Sequence, residues 1–198
     1  AQQDAVKFLN DMLALYSHAY IVGHSKGGNL ALFAAARCNP VLQSRILHVI
    51  NFDGPGLDEK TRQSPGYLAL ARRTTTYVPT DSIVGMLMNG GEPYTVIASE
   101  GSGLQQHNTF LWQLSGGALV PLDSLTQQSR YASSTLRTFL GSLSIPQRRT
   151  VVDALYSILS ATGAKKIGQI PASALMNLDR VLKATAGLSP QQHRALLS

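Results

Sequence analysis

A serine hydroxyl becomes a working nucleophile when a turn presents it, a base takes its proton and a third group steadies that base. The segment Gly23-His24-Ser25-Lys26-Gly27-Gly28-Asn29-Leu30-Ala31 supplies the turn, as G-x-S-x-G. It follows an apolar run at 19–22 and opens a helix-forming run at 30–36, the strand-turn-helix setting in which this motif carries chemistry. A sharp exit from a buried strand strains the serine backbone and requires small neighbours, here Gly23 and Gly27. The start of the following helix offers N–H groups and a partial positive charge that suit an oxyanion, with the Lys26 backbone N–H first in line. The bland reading is a glycine-rich turn that only packs closely; the context favours a nucleophile at Ser25.

An elbow serine implies a base, and five histidines are available: His18, His24, His48, His107 and His193. His107 follows the last strand candidate, within Gln105-Gln106-His107-Asn108-Thr109-Phe110. It completes the chain order serine, acid, histidine. His24 sits inside the elbow, where its side chain is expected to point away from the nucleophile. His48 falls within a strand, His18 just before one and His193 in a terminal helix, so structural or solvent-facing roles are expected for these. Two acids fit. Asp53 leaves the strongest strand after the elbow at a Gly-Pro-Gly turn, and Asp81 leaves the next strand in Pro79-Thr80-Asp81-Ser82-Ile83-Val84. Without a catalytic role, Asp53 would be a turn former and Asp81 the N-cap of a helix over 83–88. Asp58 and Asp123 read as helix starts.

The elements that would hold these groups alternate. Apolar positions at Val6, Leu9 and Leu13 predict an amphipathic helix over 3–15, ahead of a strand at 19–22. Strands are expected at 46–52, 74–78 and 94–98, with a helical stretch over 58–71 broken near Pro65. Alternation of this kind builds a parallel sheet. From about Asp123 the pattern turns helical: 124–140, 147–160, 172–184 and a last segment after Pro190. The expected organisation is a core over 1–122 and a helical extension over 123–198 packed on it.

Composition narrows the class. The 198 residues, 44% hydrophobic, suffice for a sizeable core. A formal charge of +6 comes from 17 Lys and Arg against 11 Asp and Glu, yet charged residues are only 14% of the chain. The basic pairs Arg72-Arg73, Arg148-Arg149 and Lys165-Lys166 are scattered and lack interleaved aromatics, so a nucleic-acid partner is not expected. A single cysteine, Cys38, precludes an internal disulfide and fits a reducing compartment, with the cytoplasm as the expectation. No run is long and apolar enough for a transmembrane segment.

Four spaced segments, GHSKGGNLA at 23–31, FDGPG at 52–56, SIVGML at 82–87 and QHNTFLW at 106–112, resemble a poorly characterised, mainly bacterial family of lipase-like α/β-hydrolases. The resemblance covers most of the chain and implies an α/β-hydrolase fold, Ser25 as nucleophile and His107 as base. The FDGPG turn is similar to the L-D-P-A-G-P-like turn of pancreatic-type lipases, which implies Asp53 as the acid. The commoner hydrolase arrangement, an acid one strand later in a D-x-I-V context, implies Asp81. Hydrolases of this kind supply early strands and a second oxyanion donor before the elbow, so the chain resembles the carboxyl-terminal half of the family. A missing amino-terminal part, a second chain or self-association is expected to complete the sheet.

The chemistry implied is acyl transfer to water from a small-molecule ester, with no metal or organic cofactor needed. Met86-Leu87-Met88 and Phe110-Leu111-Trp112 fit an acyl pocket or ordinary core packing. The rival readings are a thioesterase or peptidase using the same triad, and a hydrolase-derived binding module whose site is silent.

Overall fold

Helix α1 (Gln2–Leu15) forms on the expected period, and its Leu9 and Leu13 turn inward and are buried. It leads into strand β1 (Ala19–His24) and helix α2 (Lys26–Arg37). The computed structural model describes residues 1–88 and 91–144. His193 and the helices expected over 147–160, 172–184 and after Pro190 lie outside the described residues. The chain divides into two units, Ala1–Ser129 and Arg130–Ser198, and the candidate site belongs to the first.

The alanine-rich run in α2 serves two ends. Alanine has the highest helix propensity, and its small side chain lets a helix lie close to a sheet. Ala31 to Ala36 are all buried, and Ala31 to Ala35 pack with Leu9, Leu13, Ile46 and Val49 in one apolar cluster. A short helix α3 (Pro40–Gln43) is capped by Asn39, whose side chain accepts from the Val41 N–H. Cys38 ends α2, and its buried thiol donates to the Ala35 carbonyl.

Strand β2 (Ile46–Phe52) is followed by two short helices, α4 (Glu59–Arg62) and α5 (Pro65–Leu70), separated near Pro65 as the sequence predicts. Asp58 caps α4 by accepting from the Thr61 N–H and hydroxyl. Ser64 caps α5, with Pro65 at the first helical position, where its missing N–H costs nothing. Then come β3 (Thr74–Pro79), β4 (Thr95–Ile97), the two-residue strands β5 (Leu114–Ser115), β6 (Ala118–Leu119) and β7 (Pro121–Leu122), and helix α6 (Gln127–Ser142).

The main sheet has the order β1-β2-β3-β4-β7; the first four strands are parallel and β7 is antiparallel. This is a mixed α/β fold on a mostly parallel central sheet. Among the described residues β1 is an edge strand, and its Tyr20 and Val22 side chains are exposed. No helix among the described residues is long and apolar enough to cross a membrane.

Two local expectations change. Residues 83–88 form turns rather than a helix, because the Gly85 N–H donates to the Asp53 carboxylate instead of to a helical ladder. The β5–β6 hairpin is an element beyond those expected. Its turn is Gly116-Gly117, both at positive φ (59° and 82°), the conformation that two-residue hairpin loops require.

Candidate active site

Parallel strands deliver their side chains to one end of the sheet, and the residue leaving each strand is caught by the strand beside it. Ser25 leaves β1 and its N–H donates to the Phe52 carbonyl of β2 at 2.9 Å. Asp53 leaves β2 and its N–H donates to the Tyr77 carbonyl of β3 at 2.8 Å. Both residues hold positive φ, 57° at Ser25 and 46° at Asp53. For side chains other than glycine that conformation costs on the order of 1–3 kcal/mol and persists only where the surroundings impose it.

The surroundings here are specific. A Cβ on Gly23 would lie 2.2 Å from the Gly27 carbonyl oxygen and 2.6 Å from the Gly28 nitrogen, so only glycine lets α2 start this close to β1. Gly27, expected to be small for the same reason, has open space around its Cβ position among the described residues; Gly28 is the one pressed against a neighbour, Asn51. The buried Asn51 accepts from the Gly54 N–H and donates to the Gly54 carbonyl, closing the turn after Asp53. Asn29 of α2 donates to the Pro55 and Gly56 carbonyls. The serine turn and the aspartate turn are thereby tied to each other.

His107 ends a 3-10 turn (Gly103–His107) that opens with a reciprocal cap between Ser102 and Gln105. Its neighbour Gln106 is buried and uses both ends of its amide. The oxygen accepts from the Asp81 N–H and the Thr80 hydroxyl, and the nitrogen donates to the Ser99 and Gly101 carbonyls. The Gln106 carbonyl accepts from the Trp112 indole, whose ring packs edge-on against Phe52.

These anchors bring three side chains into line. His107 Nε2 lies 2.9 Å from Ser25 Oγ, and His107 Nδ1 lies 2.6 Å from Asp53 Oδ2. His107 and Asp53 are 4% and 1% exposed, while Ser25 is half-buried. The other Asp53 oxygen accepts from the Ser82 hydroxyl at 2.5 Å and the Gly85 N–H at 3.0 Å, so the carboxylate is fully engaged. A Cβ on Gly85 would fall 2.3 Å from that oxygen. Charge-assisted bonds of this length are the stronger kind, and in a dry site they hold orientation.

Asp81, the second acid considered, is not part of this line. Its carboxylate accepts from the Gly103 N–H and the Thr126 hydroxyl, so it braces the turn that carries His107. Lys26 is the first residue of α2, directly after Ser25, with an exposed side chain. His18 lies beside the Ser17 hydroxyl at the surface, and His48 pairs with Thr75 across β2 and β3, both structural as expected. His24 also makes a structural bond, next to the site. Its ring turns onto His107, with centroids 4.6 Å apart, and its Nε2 lies 2.8 Å from the His107 carbonyl oxygen. Burial, with the adjacent His107, lowers its proton affinity below the ordinary histidine range.

Of the side chains flagged for a pocket, Met86, Leu87 and Trp112 are core, Met88 is partly exposed and Phe110 is 95% exposed. A separate cavity of about 360 Å3, lined by Arg62, Tyr67, Thr74, Thr76 and Glu92 among others, contains none of Ser25, His107 and Asp53. Ser82, Gln106, Asn29 and Asn51 were not singled out by sequence reasoning. All but Asn51 stand inside the motif segments, which is the signal that could have marked them.

The class defined by fold and site is an α/β protein with a serine, a histidine and an aspartate in hydrogen-bonded series at one end of its sheet. The model of the Mbeg1-like family matches residues 1–157, and the chain belongs to that family. No curated protein matches it.

Proposed function

We propose that the protein is a serine hydrolase of lipase or esterase type, on an α/β-hydrolase core, that cleaves a carboxylic ester. The observation that carries this reading is the unbroken series Ser25 Oγ, His107 Nε2, His107 Nδ1, Asp53 Oδ2, with the serine on a strained strand-to-helix turn. Ser25 at φ 57° and ψ −128° is the strained member, and strain of that kind gathers at functional sites.

Asp53 accepts a hydrogen bond from His107 Nδ1–H, and this tautomer leaves Nε2 unprotonated towards Ser25. Ser25 Oγ attacks the ester carbonyl carbon while His107 Nε2 takes its proton, and Asp53 stabilises the resulting imidazolium. The tetrahedral oxyanion sits over the amino end of α2, where the Lys26 backbone N–H is the donor assigned by position. Collapse of the intermediate expels the alcohol, which receives the proton from His107, and leaves an acyl group on Ser25. Water, deprotonated by His107, then releases the acid and regenerates the serine.

The test is labelling with a fluorophosphonate, followed by a panel of short-chain esters, for the wild type, Ser25→Ala and His107→Ala. Labelling and turnover that vanish in Ser25→Ala and collapse in His107→Ala are the expected result. A wild-type chain that neither labels nor hydrolyses any ester would instead favour the silent binding module.

A further inference from the structure

His24 meets the site twice, beside Ser25 in the chain and against His107 in space. The strand period places it on the same face of β1 as Tyr20 and Val22, and at the end of the strand that face reaches the His107 turn. A carbonyl can only accept, so the 2.8 Å contact fixes the tautomer: His24 Nε2 carries a proton and donates it to the His107 oxygen. The two imidazoles lie 4.6 Å apart at 36°, so one ring holds both the backbone and the face of the other.

We propose that His24 is a positioning residue for the base, fixing the backbone of His107 so that its ring reaches Ser25 and Asp53 together; this rests on the assignment of Ser25 and His107 made above. The 3-10 turn beneath His107 gives a weak ladder of its own, and the bonds of Asp81 and Gln106 anchor it at Gly103 and Gln106, before His107. The bond from His24 supplies the missing anchor at His107 itself. It also couples nucleophile to base directly, since His24 and Ser25 are consecutive and any shift of the elbow carries the His107 carbonyl along. The lowered proton affinity of His24 suits this place, because a neutral ring does not oppose the positive charge that His107 acquires during attack.

Two substitutions separate the parts of the contact. His24→Phe keeps a ring and removes the donor; His24→Gln removes the ring and keeps an N–H at nearly the same reach. Fluorophosphonate labelling of the full chain, with the maximal rate separated from the half-saturating concentration, is measured for both. Displacing a base by about an ångström lowers a rate by roughly a hundredfold, so His24→Phe is expected to lose about tenfold to a hundredfold in maximal rate at unchanged half-saturation. His24→Gln is expected to stay within about threefold of wild type. A His24→Phe chain that labels at the wild-type rate, or equal losses in both variants, overturns the proposal. The downfield proton NMR signal of the His107 Nδ1–H, identified by its loss in His107→Ala, gives a readout independent of reactivity. It is expected to persist in His24→Gln and to broaden in His24→Phe, and unchanged sharpness in His24→Phe also counts against the proposal. Absence of Ser25-dependent labelling in the wild type refutes the hydrolase reading instead, and leaves the NMR comparison to decide the role of His24.

Discussion

Replacing Asp53 by asparagine changes one atom's chemistry and almost no volume, which makes it the cleanest perturbation of the site. The Asp53 oxygen that faces Ser82 and Gly85 receives two donors, so in Asp53→Asn the amide oxygen must stay there; an NH2 group in that place would oppose both. The amide nitrogen then faces His107 Nδ1 at the 2.6 Å position. A donor facing Nδ1 forces the imidazole proton onto Nε2, which now points a proton at Ser25 Oγ and cannot accept one. Losing the correct tautomer in a serine-histidine-aspartate triad costs about 10⁴-fold in rate, equivalent to roughly 5 kcal/mol of barrier at about 1.4 kcal/mol per factor of ten. Asp81→Asn provides the contrast, since it weakens one bond to the 103–107 turn and one to Thr126, and touches no ring. A stability loss of about 1 kcal/mol and less than about tenfold in rate is expected for it. The assay is the second-order rate of fluorophosphonate labelling, with thermal melting to show that both variants fold. Asp53→Asn reacting within tenfold of wild type while Asp81→Asn falls a thousandfold would refute the reasoning and transfer the acid to Asp81.

Three further outcomes follow from the same geometry. Gly23→Ala puts a methyl group against the backbone at Gly27 and Gly28, and is expected to destabilise by about 3 kcal/mol or more and abolish labelling; chemical denaturation measures the first. Ser82→Ala removes a hydrogen bond to a buried carboxylate and leaves one acceptor position empty, an expected loss of about 1.5–3 kcal/mol by denaturation, with slower labelling as His107 loses alignment. His24 binds protons less readily folded than unfolded, where its ordinary value is 6.5. Between the two values the unfolded chain holds more protons, so stability is intact above the ordinary value and declines as pH falls below it. Melting temperatures taken from about pH 7.5 to about pH 5 should therefore fall, and fall less steeply in His24→Gln.

The elbow was legible in the sequence because its requirements are local: glycine before the turn, serine on it, a helix former after it. The strands at 46–52 and 74–79 were legible for the same reason, as β-branched runs bounded by turn residues. Asp53 was only half legible. Asp53 and Asp81 both leave strands at the same end of the sheet and both meet the 103–107 turn; what separates them is that Asp53 faces the His107 ring and Asp81 the Gly103 N–H. The contact of His24 with His107 was not legible, because an isolated strand shows that alternate residues share a face, and not what the chain later lays upon that face. The run 83–88 looks helical by its apolar content, but Gly85 is committed to the Asp53 carboxylate, a demand invisible without the partner. The β5–β6 hairpin went unassigned although its paired glycines were in plain view, since two-residue strands are too short to show a period.

The series Ser25, His107, Asp53 closes through a contact between residues 82 positions apart, Ser25 and His107, whereas α1, α2 and the β1–β2 pair draw on residues within the first 52. Contacts that close long loops have the largest entropy to overcome, and they assemble late. A refolding chain can therefore regain much of its helix and sheet while its serine is still an ordinary alcohol. Under the proposed function, reactivity of Ser25 becomes a clock for the end of folding: recovered labelling is expected to trail recovered far-ultraviolet circular dichroism, and the interval between them to measure how long the 103–107 turn takes to dock.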